Sequence, residues 1–315
     1  MTFLNSIRAN DPVEGFYLLD NASIKTSVRG DPFLAAEIKD KTKSLPIKVW
    51  DYRNPTVSSA DNGSVVYVSG RAAEYNGSIQ VTAQEIRKAT NKDRFNRSDL
   101  VDAAPINIQK AYQVVISIVN SIHDGDYREL ANRMLTKYQR ALMTIPAAKN
   151  VHHAFVGGLL MHTFNMLRVA DDIAETYQDS VNRDLLLTGV LIHDFAKCLE
   201  FTFSEMGLVV DYSIEGNLLG HLVMGAQEVA KIGEEIGMPK EKSILLQHLL
   251  LSHHGDPSYG AAVVPKVLEA ELLHLIDMID SRVEIYREQY SEMEPGTLSE
   301  KGIFALGNKR IYKQT

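Results

Sequence analysis

The hydrophobic period of this chain changes once, and the change calls for two separately built parts. From about Phe16 to Ala83 the sequence runs as short β-rich stretches: GFYLLD, SIKTSV, PFLAAEIKD, LPIKVWD, SVVYVSGRAAEY and SIQVTAQEI. Asp40-Lys41-Thr42-Lys43, Asp61-Asn62-Gly63 and Tyr75-Asn76-Gly77-Ser78 separate them, and such clusters form turns. Five or six strands in so short a span, about 75 residues, predict a small closed or partly open barrel. Further on, apolar residues recur at helical spacing over Ile108–Ile122, Tyr127–Ile145, Leu159–Tyr177, Arg183–Phe203, Leu218–Ile236, Ile244–Leu251 and Leu268–Tyr290. That part is expected to be all-α, with a short hairpin or loop within EFTFSEMGLVVDYS, Glu200 to Ser213. The boundaries follow the composition: a barrel over 1–90, a polar linker over 91–106, a helical domain over 107–295 and a tail over 296–315.

The charge divides in the same place. Residues 1–100 carry 14 Lys+Arg against 12 Asp+Glu, and residues 101–315 carry 19 against 28. A net charge of −7 argues against a protein that coats DNA, although metal ions can supply local positive charge for a polyanionic substrate. The barrel is the better landing surface for nucleic acid. Trp50 and Tyr52, with Phe33, Tyr67 and Tyr75, alternate there with Lys25, Arg29, Lys41, Lys48, Arg53 and Arg71. Single-strand binding platforms combine stacking rings and cations in this way, although any one ring is more often core.

The single cysteine, Cys198, excludes an intrachain disulfide and any multi-cysteine metal site. The sequence has no uninterrupted apolar run of about 18 residues, and MTFLNSIRAND lacks the charged-then-apolar pattern of a signal peptide. A cytoplasmic protein with no membrane partner is expected.

Ten histidines are distributed very unevenly. His123, His248 and His274 read as structural, but the rest fall in a regular setting. His162 lies in GGLLMHTF, His193-Asp194 in VLIHDF, His221 in LLGHLVMGA, His253-His254 in LLLSHHG, and Asp277 and Asp280 in LLHLIDMID. Each polar group stands among apolar neighbours, so each faces the core side and needs a partner there. No single helix can surround an ion, but several helices projecting imidazoles and carboxylates into one pocket can.

The order His, His-Asp, His, His-His, Asp resembles the HD superfamily of metal-dependent phosphohydrolases over roughly residues 150–290. Carried over by position, the resemblance implies that His162, His193, Asp194 and Asp277 hold one metal ion. It further implies that His221, His253 and His254 hold a second, with Asp194 bridging both. Asp280 is expected to be a solvated or helix-supporting carboxylate. The longer match, with NVHHAFVGGLLMHTFNML, LLLTGVLIHDFAK and PKVLEAELLHLIDMID behind a barrel, is similar to the YhaM-type 3′→5′ exoribonucleases, in which an OB-type barrel precedes the HD domain. Phe195-Ala196-Lys197 stands where many relatives have Ile-Gly-Lys, and Met161 where an acidic residue is common; neither change removes a ligand.

The resemblance implies a metal-dependent phosphodiesterase that shortens single-stranded RNA from its 3′ end to nucleoside monophosphates, with single-stranded DNA as a second candidate substrate. Two divalent ions are implied, manganese first, with iron, cobalt or magnesium as the other candidates; imidazole favours the softer ions over magnesium. Asp194 and Lys197 are the candidate catalytic residues, because an ammonium three residues from the bridging carboxylate could meet a phosphate oxygen. His153 and Arg168 are candidate substrate contacts, beside Trp50 and Tyr52 of the barrel. An HD-type nucleotidase or nucleoside-triphosphate phosphohydrolase is the alternative, disfavoured by the barrel, and a non-catalytic single-strand binding protein is the second. A cyclic-dinucleotide phosphodiesterase would want Gly-Tyr-Pro after the paired histidines, where this chain has HHGDPSYGAAVVP. The hydrophobic content leaves room for a homo-oligomeric interface.

Overall fold

Buried and solvent-facing side chains alternate along β2 (Pro32–Lys39) and β3 (Ser44–Val49), as a sheet with one face on a core requires. The computed structural model describes residues 2–147, 155–204 and 206–315, and these form two units: Met1–Ala103 with Phe203–Val210, and Ala104–Thr202 with Asp211–Thr315.

In the first unit five strands close into a barrel in the order β1-β2-β3-β5-β4, where β1 is Pro12–Thr26, β4 Val65–Tyr75 and β5 Ser78–Lys88. The only parallel pairing in the barrel joins β3 to β5. This is the OB-type arrangement. The stretches GFYLLD and SIKTSV, separate in the sequence pattern, are one long strand. A bulge between Asp20 and Ser23, with Asn21 at φ 51°, bends β1 so that its first half pairs with β4 and its second with β2. The bend is what closes the barrel, over a core that includes Tyr17, Leu19, Leu34, Ile38, Ile47, Val68 and Val81.

The second unit is helical: α1 (Ile108–Asn120), α2 (Gly125–Thr144), α3 (Gly158–Thr176), α4 (Arg183–Ile192), α5 (Lys197–Glu200), α6 (Ile214–Glu235), α7 (Lys240–Ser252) and α8 (Leu268–Glu292). Side-chain caps set several starts. Asn107 accepts from Lys110 N, Asp124 from Asp126 and Tyr127 N, Asn182 from Leu185 N, and Ser213 from Gly216 N. The Ser213 cap explains why α6 begins four residues before the apolar spacing suggests. The single helix expected over Arg183–Phe203 divides instead. After α4 comes a turn closed by Phe195 N to Ile192 O and Lys197 N to Asp194 O, then α5, then the hairpin strands β6 (Phe201–Phe203) and β7 (Val209–Tyr212). The three-residue bonds tighten the chain at His193-Asp194.

α4 and α8 pack on each other and each packs on both α3 and α7, and α6 packs on α5 and α7. The tail folds back on itself: Ser299 N donates to Ile311 O and Gly296 N to Lys313 O, each at 2.8 Å. Lys313 Nζ then donates to Tyr290 O and Met293 O at the C-terminal end of α8, where a cation meets unsatisfied carbonyls. Among the described residues no helix is long and apolar enough to cross a membrane.

Candidate metal centre

Four helical elements and one turn deliver the centre. His162 comes from α3 and His193-Asp194 from the turn after α4. His221 comes from α6, His253-His254 from the end of α7 and Asp277 from α8. Three sets have ligand atoms within 4.8 Å of one another: His162, His193 and Asp277; His193, Asp194 and His253; and His221, His253 and His254. All seven residues singled out in the sequence are thus brought together.

Asp194 divides the group. Its Oδ2 lies 3.3 Å from His193 Nε2 and 3.8 Å from His162 Nε2, and its Oδ1 lies 3.7 Å from His221 Nε2 and 3.8 Å from His253 Nε2. One carboxylate therefore faces both halves of the centre.

The imidazoles are committed through their other nitrogens. His162 Nδ1 faces Asp280 Oδ2 at 2.7 Å, His193 Nδ1 faces Val190 O at 2.8 Å, His221 Nδ1 faces Glu200 Oε1 at 3.0 Å, and His253 Nδ1 faces Leu250 O at 2.7 Å. Each acceptor is an oxygen, so each Nδ1 donates and each ring turns its Nε2 inward. Those Nε2 atoms lie against one another and against carboxylates. His162 and His193 approach Nε2 to Nε2 at 3.3 Å, and Asp277 Oδ1 lies 3.4 Å from His162 Nε2. Asp194 Oδ1, His221 Nε2 and His254 Nδ1 are buried with no hydrogen-bond partner among the described residues. Orphaned acceptors are costly in a buried site, and a divalent cation is the partner that satisfies them together.

Charge points the same way. Asp194, Asp277 and Glu200 all act on the Lys197 ammonium, whose Nζ donates to Asp194 Oδ2 at 2.7 Å. Burial alone would push the Asp194 carboxyl up, but Lys197 and His193 hold it well below the usual carboxylate range. Burial likewise opposes the Lys197 charge, and Asp194 outweighs it. Burial, together with neighbouring imidazoles, lowers His253 and His254, so both stay neutral and able to ligate. Burial pushes the Cys198 thiol up to about 12, and it is in none of the three sets.

Several expectations need correction. Asp280 is neither solvated nor merely helix-supporting: it is buried, holds His162 and accepts from Asn165 Nδ2 at 3.0 Å. Glu200, not singled out in the sequence, does the same for His221; burial favours its neutral form, and the bond from His221 keeps its pKa below the ordinary value. Lys197 is bonded to Asp194. Arg168 lies six residues beyond His162, about 120° around the helix, and its guanidinium stacks 5.6 Å from the Phe164 ring centroid, so it does not join the centre. His153 lies outside the described residues. His248 Nε2 accepts from Lys266 N, and His274 Nδ1 donates to His253 O.

On the barrel, Trp50 is 49% exposed, stacks on Phe33 at 4.8 Å and has Lys48 Nζ 5.5 Å from its ring. Lys48 also lies 5.2 Å from the Tyr75 ring. Tyr52 is a core residue instead. Asp51 turns the chain at φ 53°, and the Tyr52 hydroxyl accepts from Thr56 N and Val57 N, both at 2.8 Å. Arg53 is paired with Asp31 and Asp51, and Arg71 donates to Asn10 O.

The profile of the HD domain family matches residues 159–282, the span that supplies all seven candidate ligands. A 3′-5′ exoribonuclease YhaM of Listeria monocytogenes is 35% identical over 300 residues, covering 95% of this chain and 94% of the relative. The chain belongs to this family. The YhaM protein of Bacillus licheniformis is 33% identical over 298 residues, covering 94% and 93%, and that of Shouchella clausii 31% over 306, covering 97% and 94%. The likeness to YhaM proteins therefore spans both the barrel and the metal centre.

Proposed function

We propose that this member of the YhaM family is a metal-dependent 3′→5′ exoribonuclease that hydrolyses single-stranded RNA to nucleoside monophosphates. The observation that carries the reading is Asp194, whose two oxygens face separate halves of a ligand set rich in imidazole. His162, His193, Asp194 and Asp277 would hold one ion, and Asp194, His221, His253 and His254 a second, with manganese the first candidate and iron, cobalt or magnesium the others. Bound there, two divalent ions supply an activated water and charge neutralisation at the scissile phosphodiester.

The chain's own residues do the rest. Lys197 fixes one oxygen of Asp194 and brings an ammonium beside the point where phosphate charge would gather. Asp280 and Glu200 hold the tautomers of His162 and His221, so that Nε2 lone pairs are presented without rearrangement. On the barrel, Trp50, Phe33 and Tyr75 offer ring faces to bases while Lys48 meets phosphates. Single-stranded DNA could use the same rings, which read no sugar.

The test is incubation of the purified chain with Mn2+ and 5′-end-labelled single-stranded RNA, beside Asp194→Ala. A 3′→5′ ladder that the variant loses is expected. Hydrolysis of free nucleotides with RNA left intact would sink the reading.

A further inference from the structure

Two kinds of partner aim the imidazoles. His193 and His253 donate to carbonyls three residues earlier in the chain, whereas His162 and His221 donate to carboxylates. Glu200 differs from Asp280 in taking two bonds from one residue: its Oε1 accepts His221 Nδ1–H at 3.0 Å and the His221 backbone N–H at 3.1 Å. Gly220, at φ 70° and ψ 162°, interrupts α6, so His221 begins a new helical segment. N–H groups at a helix start lack an intrahelical acceptor, and Glu200 supplies one. The same oxygen thus caps the segment and fixes the ring.

Glu200 is itself held firmly. Its carbonyl accepts from Ser213 N at 2.8 Å, and a Cβ on Gly216 would come within 2.1 Å of that carbonyl oxygen. The start of α6 therefore crosses Glu200 at a spacing that only glycine allows. At 6% exposure the carboxylate has little access to water as an alternative partner.

We infer that Glu200 is the positioning residue for the half of the centre built from His221, His253 and His254, and that it sets the affinity of the ion held there while leaving the other ion alone. The inference rests on the two-ion reading above. A carboxylate on Nδ1 fixes the tautomer and enriches Nε2, and the His221 Nε2 so prepared lies 3.7 Å from Asp194 Oδ1. The other half has its own carboxylate, Asp280 on His162, so the two supports can be removed separately.

The full chain, stripped by chelator, is titrated with Mn2+ alone, with calorimetry and the electron paramagnetic resonance signal of free Mn2+ as readouts. The wild type is expected to take two ions per chain. Glu200→Gln should weaken one of them about 10- to 100-fold and leave the other at wild-type affinity, while Asp280→Asn weakens the opposite one. Adding Glu200→Gln to His221→Gln should cost nothing more, because the support acts only through that ring. If Glu200→Gln does not fold, Glu200→Asp keeps the charge at shorter reach and should weaken the same ion by a smaller factor. Equal loss at both ions, no loss, or additive loss in the double variant would overturn the assignment, as would a wild type that takes a single ion. No RNA is present, so a chain that binds two ions but leaves RNA intact would refute the nuclease reading alone.

Discussion

His162 and His193 approach Nε2 to Nε2 at 3.3 Å, with both Nδ1 atoms already bonded to oxygen. With both Nδ1 positions committed, a cation between or beside the two Nε2 atoms would take both as ligands. Removing metal should therefore destabilise the fold. Adding Mn2+ at about 100 times its dissociation constant should stabilise the chain by about 2.7 kcal/mol for each site filled independently. Thermal melts in chelator and in Mn2+ check this, and coincident curves would refute it.

The proposed role of Lys197 is to act on rate. Lys197→Met should lower kcat about 10²- to 10³-fold with little change in KM, as removal of a donor to transition-state charge does elsewhere. Steady-state kinetics on single-stranded RNA in saturating Mn2+ read the split. A loss confined to KM would assign the lysine to ground-state binding instead.

Trp50 is the only tryptophan in the chain, so its fluorescence reports directly on the barrel. Single-stranded RNA should quench it, and Trp50→Ala should cost about 1–3 kcal/mol in RNA binding, the usual worth of one stacked base. Tyr52→Phe should leave RNA binding intact. It strands the amides of Thr56 and Val57, and should lower stability by about 1–3 kcal/mol in a urea melt.

Acid should expose the worth of Lys242. Its Nζ donates to Asp124 Oδ2 at 2.6 Å and to Asp126 Oδ2 at 2.5 Å. Burial alone would raise the Asp124 carboxyl, but Lys242 and the amides of Tyr127 and Asp126 lower it. A depressed carboxyl stabilises the fold above its unfolded pKa, about 3.9, and the benefit disappears as pH falls through the lower folded value. Lys242→Met should thus cost about 1 kcal/mol at pH 6 and progressively less below pH 4, measured by urea unfolding at each pH. A deficit independent of pH would point to lost packing.

The sequence carried the barrel and the ligands to different depths. Strand alternation and turn residues reveal a barrel, but not that β1 runs unbroken through the bulge at Asn21, because a bulge looks like a gap between strands. The seven candidate ligands are legible because imidazoles and carboxylates among apolar residues demand a shared partner, and the resemblance to the HD superfamily then singles out Asp277 over Asp280. Glu200 is not: it lies 21 residues from His221, at the edge of a hairpin without periodicity. The break at Gly220 is equally silent, since a glycine within helical spacing is usually tolerated. Trp50 and Tyr52 are two apart and would share a face in a continued strand; the turn at Asp51 sends one outward and the other into the core.

The two ways of aiming an imidazole also decide what could be moved to another scaffold. His193 and His253 are oriented by bonds that close within three residues, so their directions travel with a short helix end. His162 and His221 depend on partners 118 and 21 residues distant. A transplant of the seven ligands alone would keep the first two aimed and leave the others free to turn, unless Asp280 and Glu200 were rebuilt with them.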